Sequence, residues 1–297
     1  MSSMLAPPPI PRLSPEWQDW LAGNVVRGCA DGEMLEAMRG SGFDEHYARV
    51  AISVVRSMTE RVQQQAPEMI AAATEVAVRA DPIRLPAGSR VRVADREVGI
   101  GFVLADPNVA LVRDLLSEQE CERLIAMSAG KLTRSSVLDR RTGSDQISAV
   151  RTSAGTFFER GENAIVSRLE QRIAALTGLP VEHGEPLQIL HYKPGNEYLA
   201  HHDWFDPADP GSGEVLRNGG QRVITVIVYL NEVAAGGETR FPEIGLDIRP
   251  HRGSAVYFEY LNAAGDLDRR CLHAGVPVEQ GEKWIATKWL RQGPYQR

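Results

Sequence analysis

The spacing of hydrophobic and polar positions changes character once along this chain, from a helical period to a strand period. Near the start, Trp17, Trp20 and Leu21 recur at helical spacing behind Ser14, which predicts a helix capped by that serine. Met34, Leu35 and Met38 form the face of a second helix that Asp31 is placed to cap. Gly40 and Gly42 break it before Tyr47, Val50, Ala51 and Val54 resume the period, and a last helical segment is expected to reach about Arg79. Residues 1–85 thus read as a helical N-terminal region. Residues 86–106, with Pro86, Gly88 and then Val91, Val93 and Val98, read as a linker with short strands.

From 107 to 297 a larger domain is expected. It opens with a helix carrying Cys121, Leu124 and Ile125, passes through a polar loop, and continues with a second helix around Ile165 to Leu176. Short strands follow at Leu187 to Tyr192, Arg222 to Asn231, Gly253 to Tyr257 and Lys283 to Arg291, between turns rich in Gly, Pro and Asp. The order is α+β, and the β-rich end suggests a jelly roll. The loops Lys131 to Ala149 and Asp206 to Gly220 flank this core and are candidate lids.

Composition narrows the function classes. A formal charge of −6 and a pI near 5.7 give no basic excess for nucleic acid or an anionic membrane, so neither partner is expected. A local basic patch appears in Arg134 to Arg151, with Arg140 and Arg141 adjacent. Cys29, Cys121 and Cys271 lack CxxC spacing, which points away from a zinc site or disulfide framework and toward a reducing compartment. With no leader-like start and no apolar run of about 18 residues, a cytoplasmic location is expected. Lysine occurs only at Lys131, Lys193, Lys283 and Lys288, an arginine bias that hints at a GC-rich bacterial genome and draws attention to those four positions.

The chemistry concentrates in EYLAHHDWF. If this segment is extended, the period of two puts His201 and Asp203 on one face and turns His202 away. His273, ahead of a turn with Gly275 and Pro277, is the best-placed third ligand. Two histidines and a carboxylate make the facial triad of non-haem Fe(II) oxygenases, which keeps coordination positions open for an oxo-acid and O₂. Ten residues beyond His273, Lys283 starts a strand on which Lys283, Ile285, Thr287 and Trp289 share a face. A lysine facing inward needs an anion, and the distal carboxylate of 2-oxoglutarate would serve.

Taken together, VRTSAGTFF at 150–158, LPVEHGEPLQILHYKPGNEYLAHHDWF at 179–205, RVITVIVYLNEVAAGGETRFPEIG at 222–245 and LHAGVPVEQGEKWIATKWLR at 272–291 closely resemble the prolyl 4-hydroxylase family of Fe(II)- and 2-oxoglutarate-dependent dioxygenases. The likeness runs over about residues 107 to 292, is to a soluble, bacterial-type member, and leaves the helical N-terminus without a counterpart. The resemblance implies a double-stranded β-helix with its core over about 183–292. It further implies iron at His201, Asp203 and His273, the 2-oxoglutarate carboxylate on Lys283, and Tyr192 and Tyr229 lining the co-substrate pocket, with Thr225 on Tyr229's face. Arg222 and Arg151 are its substrate-side candidates, and the GGxTxF turn at Gly236 and Gly237 is expected to need glycine for backbone geometry.

The activity so implied is hydroxylation of a prolyl residue in a peptide or protein, procollagen-proline 4-dioxygenase-like, with O₂ as co-substrate, succinate and CO₂ as products and ascorbate as reductant. The absence of a leader or anchor argues against collagen-like or wall-glycoprotein substrates. Alternatives are a hydroxylase of a free amino acid or other small metabolite, and a non-catalytic metal- or oxygen-sensing scaffold whose N-terminal helices bind a protein partner or a second copy of the chain.

Overall fold

The computed structural model describes residues 14–26, 29–56, 80–138, 145–147 and 151–296. The chain divides into two compact units, Met1–Ala77 and Val78–Arg297. In the first, Ser14 Oγ accepts the Trp17 N–H at 3.4 Å at the start of helix Pro15–Val26. Asp31, expected as a cap, is instead the first residue of helix Asp31–Gly40. Ala30 holds the cap position without a side-chain hydrogen bond, and the Asp31 carboxylate pairs with Arg56. A third helix is described over residues 45–56, its start capped by Asp44 Oδ1, which accepts the Tyr47 N–H at 3.0 Å. Leu21, Val25, Met34, Met38, Ala48 and Ile52 form this unit's own core. The expected continuation toward Arg79 lies outside the described residues, as do Arg140, Arg141 and most of the distal half of the loop Lys131 to Ala149.

The second unit is built on a nine-stranded sheet. Its strands run in the order Arg90–Val93, Arg96–Ala105, Asn108–Arg113, Ala255–Glu259, Arg222–Tyr229, Lys283–Arg291, Leu187–Tyr192, Ala154–Phe158 and Thr133–Arg134. Residues 86–106 hold the first two of these, hydrogen-bonded onto Asn108–Arg113, so the short strands expected there belong to the large sheet. They do so because Val91, Val93 and Val98 bury their side chains in its core.

Helix Glu118–Ala129, opened by a capping box between Ser117 and Glu120, and helix Ala164–Thr177, capped by Asn163, contribute to the core on one face of this sheet. Leu124, Leu169 and Ile173 pack there with Val226, Val228 and Ala286. On this side Lys288 meets Glu170 of the second helix at 2.6 Å, both 1% exposed.

The other face meets a four-stranded sheet in the order Leu246–Ile248, Thr239–Phe241, His273–Gly275 and Tyr198–His201. Leu190, Tyr192, Ile227, Tyr229, Phe241 and Phe258 fill the space between. Two sheets facing each other over an apolar layer are the jelly-roll architecture of a double-stranded β-helix. Gly236 sits at φ +71°, where a Cβ would come within 2.3 Å of the Pro277 carbonyl oxygen, so the turn requires glycine. Among the described residues no helix is long and apolar enough to cross a membrane.

Candidate metal and co-substrate site

His201 and His273 lie on adjacent strands of the smaller sheet and are paired in register, so the ladder brings them together from 72 residues apart. Tyr198–His201 ends at His201, and Asp203 follows in a bend. The facing argument nevertheless holds: Asp203 Oδ1 is 3.6 Å from His201 Nε2, and Oδ2 is 3.6 Å from His273 Nε2. His202 turns away, its Nε2 on the Arg269 carbonyl at 3.0 Å and its ring against Trp204. The ligand atoms of His201, Asp203 and His273 all lie within 4.8 Å of one another.

The hydrogen bonds set up both imidazoles for a metal. His201 Nδ1 meets the Leu199 carbonyl at 2.8 Å and His273 Nδ1 meets the Cys271 carbonyl at 3.1 Å. A carbonyl only accepts, so each Nδ1 carries the proton and each Nε2 keeps its lone pair for the cluster. Burial, reinforced by the neighbouring His273, drives the His201 pKa down to about 3 and keeps the ring neutral. Burial alone would raise the Asp203 carboxyl, but His273, His201, Arg222 and a Thr225 hydrogen bond together hold it below the usual carboxylate range. Two imidazole nitrogens and one carboxylate oxygen suit Fe(II).

Across the same cavity stands Lys283, 2% exposed and paired in register with Tyr192. Its Nζ is over the Tyr192 ring at 5.4 Å and forms no hydrogen bond or ion pair among the described residues. Burial lowers its pKa to about 7, with Glu238 the one charge opposing that shift. Ile285, Thr287 and Trp289 line the cavity with it, as the period of two requires, and Trp289 Nε1 is buried with no partner among the described residues. A buried cation and an unmatched buried donor are groups that an anionic, hydrogen-bonding ligand would satisfy.

The remaining candidates separate. Tyr192 and Arg151 line the cavity, and Arg151 donates to Gln188 Oε1 at 2.8 Å while stacking over Tyr198 at 4.8 Å. Tyr229 stands behind the wall, its ring centroid 5.9 Å from Lys283 Nζ. Its hydroxyl is bonded to Thr239 Oγ1 at 2.7 Å, and Thr239 is the residue that reaches the cavity. Thr225 also stands behind the wall and donates to Asp203 Oδ2 at 2.7 Å. Arg222 is outside as well: Glu185 grips it at 2.6 and 2.8 Å, and its guanidinium lies 3.9 Å from the Trp289 ring. Tyr198, stacked on His201 at 3.6 Å between ring centroids, and Thr239 were not singled out from the sequence. Tyr198 sits three positions before His201 on the same short strand, and Thr239 sits within the GGxTxF turn, which was read for its glycines alone.

Comparison with known proteins agrees with this geometry. The family model described as "2OG-Fe(II) oxygenase superfamily" matches residues 187–291. Probable prolyl 4-hydroxylase 3 of Arabidopsis thaliana is 38% identical over 209 residues, 64% of this chain and 71% of that protein. Prolyl 4-hydroxylase 1 of the same plant is 40% identical over 201 residues, 63% of this chain and 69% of that protein. The solved structure of a viral collagen prolyl hydroxylase from Paramecium Bursaria Chlorella virus-1, in its 2OG complex, is similar with a TM-score of 0.49 at 29% identity, over 62% of this chain and 95% of that one. With that identity and coverage of the plant proteins, the chain belongs to the prolyl 4-hydroxylase family of 2OG-Fe(II) oxygenases.

Proposed function

We propose that this chain hydroxylates a prolyl residue of a peptide or protein, consuming 2-oxoglutarate and O₂ and releasing succinate and CO₂. One observation carries the reading: a two-histidine, one-carboxylate cluster faces, across a single cavity, a buried lysine that forms no ion pair among the described residues. The names of the related plant enzymes support the prolyl substrate, and the arginine bias supports a bacterial-type member. Ascorbate is the proposed reductant.

His201, Asp203 and His273 would hold Fe(II), which when bound would supply the chemistry that couples decarboxylation of 2-oxoglutarate to oxygen insertion into a C–H bond. Lys283, once protonated, pairs with the distal carboxylate by charge-assisted hydrogen bonds. Tyr192, opposite it in the ladder, walls the same end. Leu190, Ile227 and Ile285 keep bulk water from the centre. Arg151, over Tyr198 at the cavity wall, is the proposed substrate-side cation. Arg222 supports the site from behind, locked to Glu185 and stacked on Trp289.

The test uses the Fe(II)-loaded protein with proline-containing peptides, following succinate release and one-oxygen mass addition to the peptide. His201→Ala and His273→Ala should each lower turnover by at least about a thousandfold. Sustained peptide hydroxylation in either variant would sink the proposal.

A further inference from the structure

The Thr225 hydroxyl carries one proton and gives it to Asp203 Oδ2 at 2.7 Å, since a carboxylate can only accept. Tyr260 Oη stands 3.2 Å from the same threonine oxygen. With the threonine proton committed, the tyrosine must be the donor there. The chain of hydrogen bonds therefore has one direction, from Tyr260 to Thr225 to Asp203.

All three side chains are buried: Tyr260 is 2% exposed, Thr225 0% and Asp203 6%. Their backbones are pinned independently. Thr225 is in register with Trp289 on one side and Phe258 on the other. Tyr260, just beyond strand Ala255–Glu259, donates its N–H to the Val223 carbonyl at 3.2 Å and accepts at its own carbonyl from Asp268 at 2.9 Å. Each Asp203 oxygen lies 3.6 Å from an imidazole Nε2, Oδ1 from His201 and Oδ2 from His273, but Oδ1, unlike Oδ2, accepts no hydrogen bond among the described residues.

We propose that Tyr260 and Thr225 are positioning residues that engage one oxygen of Asp203 and leave the other to the metal. The inference rests on the metal-site reading above. A carboxylate turns about a broad sp³–sp² torsion with little intrinsic preference, so a free Asp203 could offer the metal both oxygens. The second oxygen would compete for one of the positions that a facial triad keeps open for 2-oxoglutarate and O₂. Holding Oδ2 by a donor chain removes that freedom. Outer groups of this kind are commonly worth about 10–100-fold in metal affinity or activity.

The test titrates the metal-free full chain with Co(II) and records the charge-transfer band of the Fe(II) and 2-oxoglutarate complex, so it needs no turnover. Thr225→Val, which keeps shape and removes the donor, should weaken Co(II) about 10–100-fold and shift the band. Tyr260→Phe, which leaves the threonine but removes its donor, should show the same shift with a loss of about tenfold in affinity, at the bottom of that range. Thr225→Ser should return to the behaviour of the parent protein. If near-UV circular dichroism shows that Thr225→Val does not fold, Tyr260→Phe against Thr225→Ser carries the comparison. Unchanged affinity and band in Thr225→Val and Tyr260→Phe, with His201→Ala clearly weakened, would overturn the relay alone. Unchanged affinity in His201→Ala would overturn the metal site and the relay with it.

Discussion

Lys283 has no anionic partner in contact among the described residues, and its charge state governs what can bind beside it. Burial sets its pKa near 7 in the ligand-free protein. A carboxylate binds the protonated amine, whose fraction falls as pH rises through that value, so affinity for 2-oxoglutarate should fall with pH. Above about pH 7 the KM is expected to climb toward tenfold per pH unit, until it reaches the affinity of the neutral amine. Lys283→Met should remove that dependence and raise KM by at least about 30-fold, since a carboxylate buried without its partner costs about 2–5 kcal/mol. A KM for 2-oxoglutarate that is flat from pH 6 to 9 in the parent protein would contradict this. Stability moves the other way. The unfolded chain holds the proton up to the ordinary lysine value of 10.5, so between about 7 and 10.5 the unfolded state binds more protons and ligand-free stability gains with pH. Urea midpoints for the parent and for Lys283→Met should diverge across that window. At this scale the metal ligands and Lys283 were legible because each depends on spacing along a single strand or on a two-residue step. Thr225 and Tyr229 stand behind the cavity wall, Thr225 on Asp203 Oδ2 and the Tyr229 ring 5.9 Å from Lys283 Nζ. Strand period tells which face a side chain takes but not its depth behind that face, and both stop one layer short of the cavity.

Among the elements, helix Ala164–Thr177 and strand Lys283–Arg291 are joined by the pair Glu170–Lys288, fully enclosed at 2.6 Å. An ion pair so buried gives little net stability against apolar residues of the same volume, yet breaking it leaves a charge stranded. Lys288→Met should therefore cost about 3–5 kcal/mol in urea unfolding, and Glu170→Leu combined with Lys288→Met should recover most of the loss. Equal losses in the single and double variants would show that packing, not charge, sets the cost. The helices and the long strands were readable from apolar period, as at Leu124 with Ile125 and from Ile165 to Leu176, while the caps at Ser117 and Asn163 emerged only in the structure. The segment from Arg90 to Ala105 was harder to assign. Its alternation marks strands, but whether they belong to a linker or a sheet depends on the neighbouring strand Asn108–Arg113 pairing in turn with the distant strand Ala255–Glu259, which local pattern does not encode. Asp31 was mistaken for a cap because an acid at a helix start serves the dipole equally well one position later.

For the molecule as a whole, the two units have separate cores, the first around Met34 and Met38 and the second in the layers that flank the large sheet. Unfolding should accordingly depart from a single two-state transition. In calorimetry, Mn(II) with 2-oxoglutarate at about a hundred times its Kd should add about 2.7 kcal/mol to the unit that binds it, raising that transition by about 5–10 °C. The transition of Met1–Ala77 should stay in place, and a common shift of both would mean that the units unfold together. Strand Lys283–Arg291 carries a further consequence. Lys283, Ile285, Thr287 and Trp289 face the reaction, whereas Trp284, Ala286, Lys288 and Leu290 face the helices. Stability and selectivity are thus written on alternate letters of one nine-residue word. Descendants of this chain can revise one set of letters by point substitution while the other is inherited intact, but a single-residue insertion or deletion would exchange the two texts at a stroke.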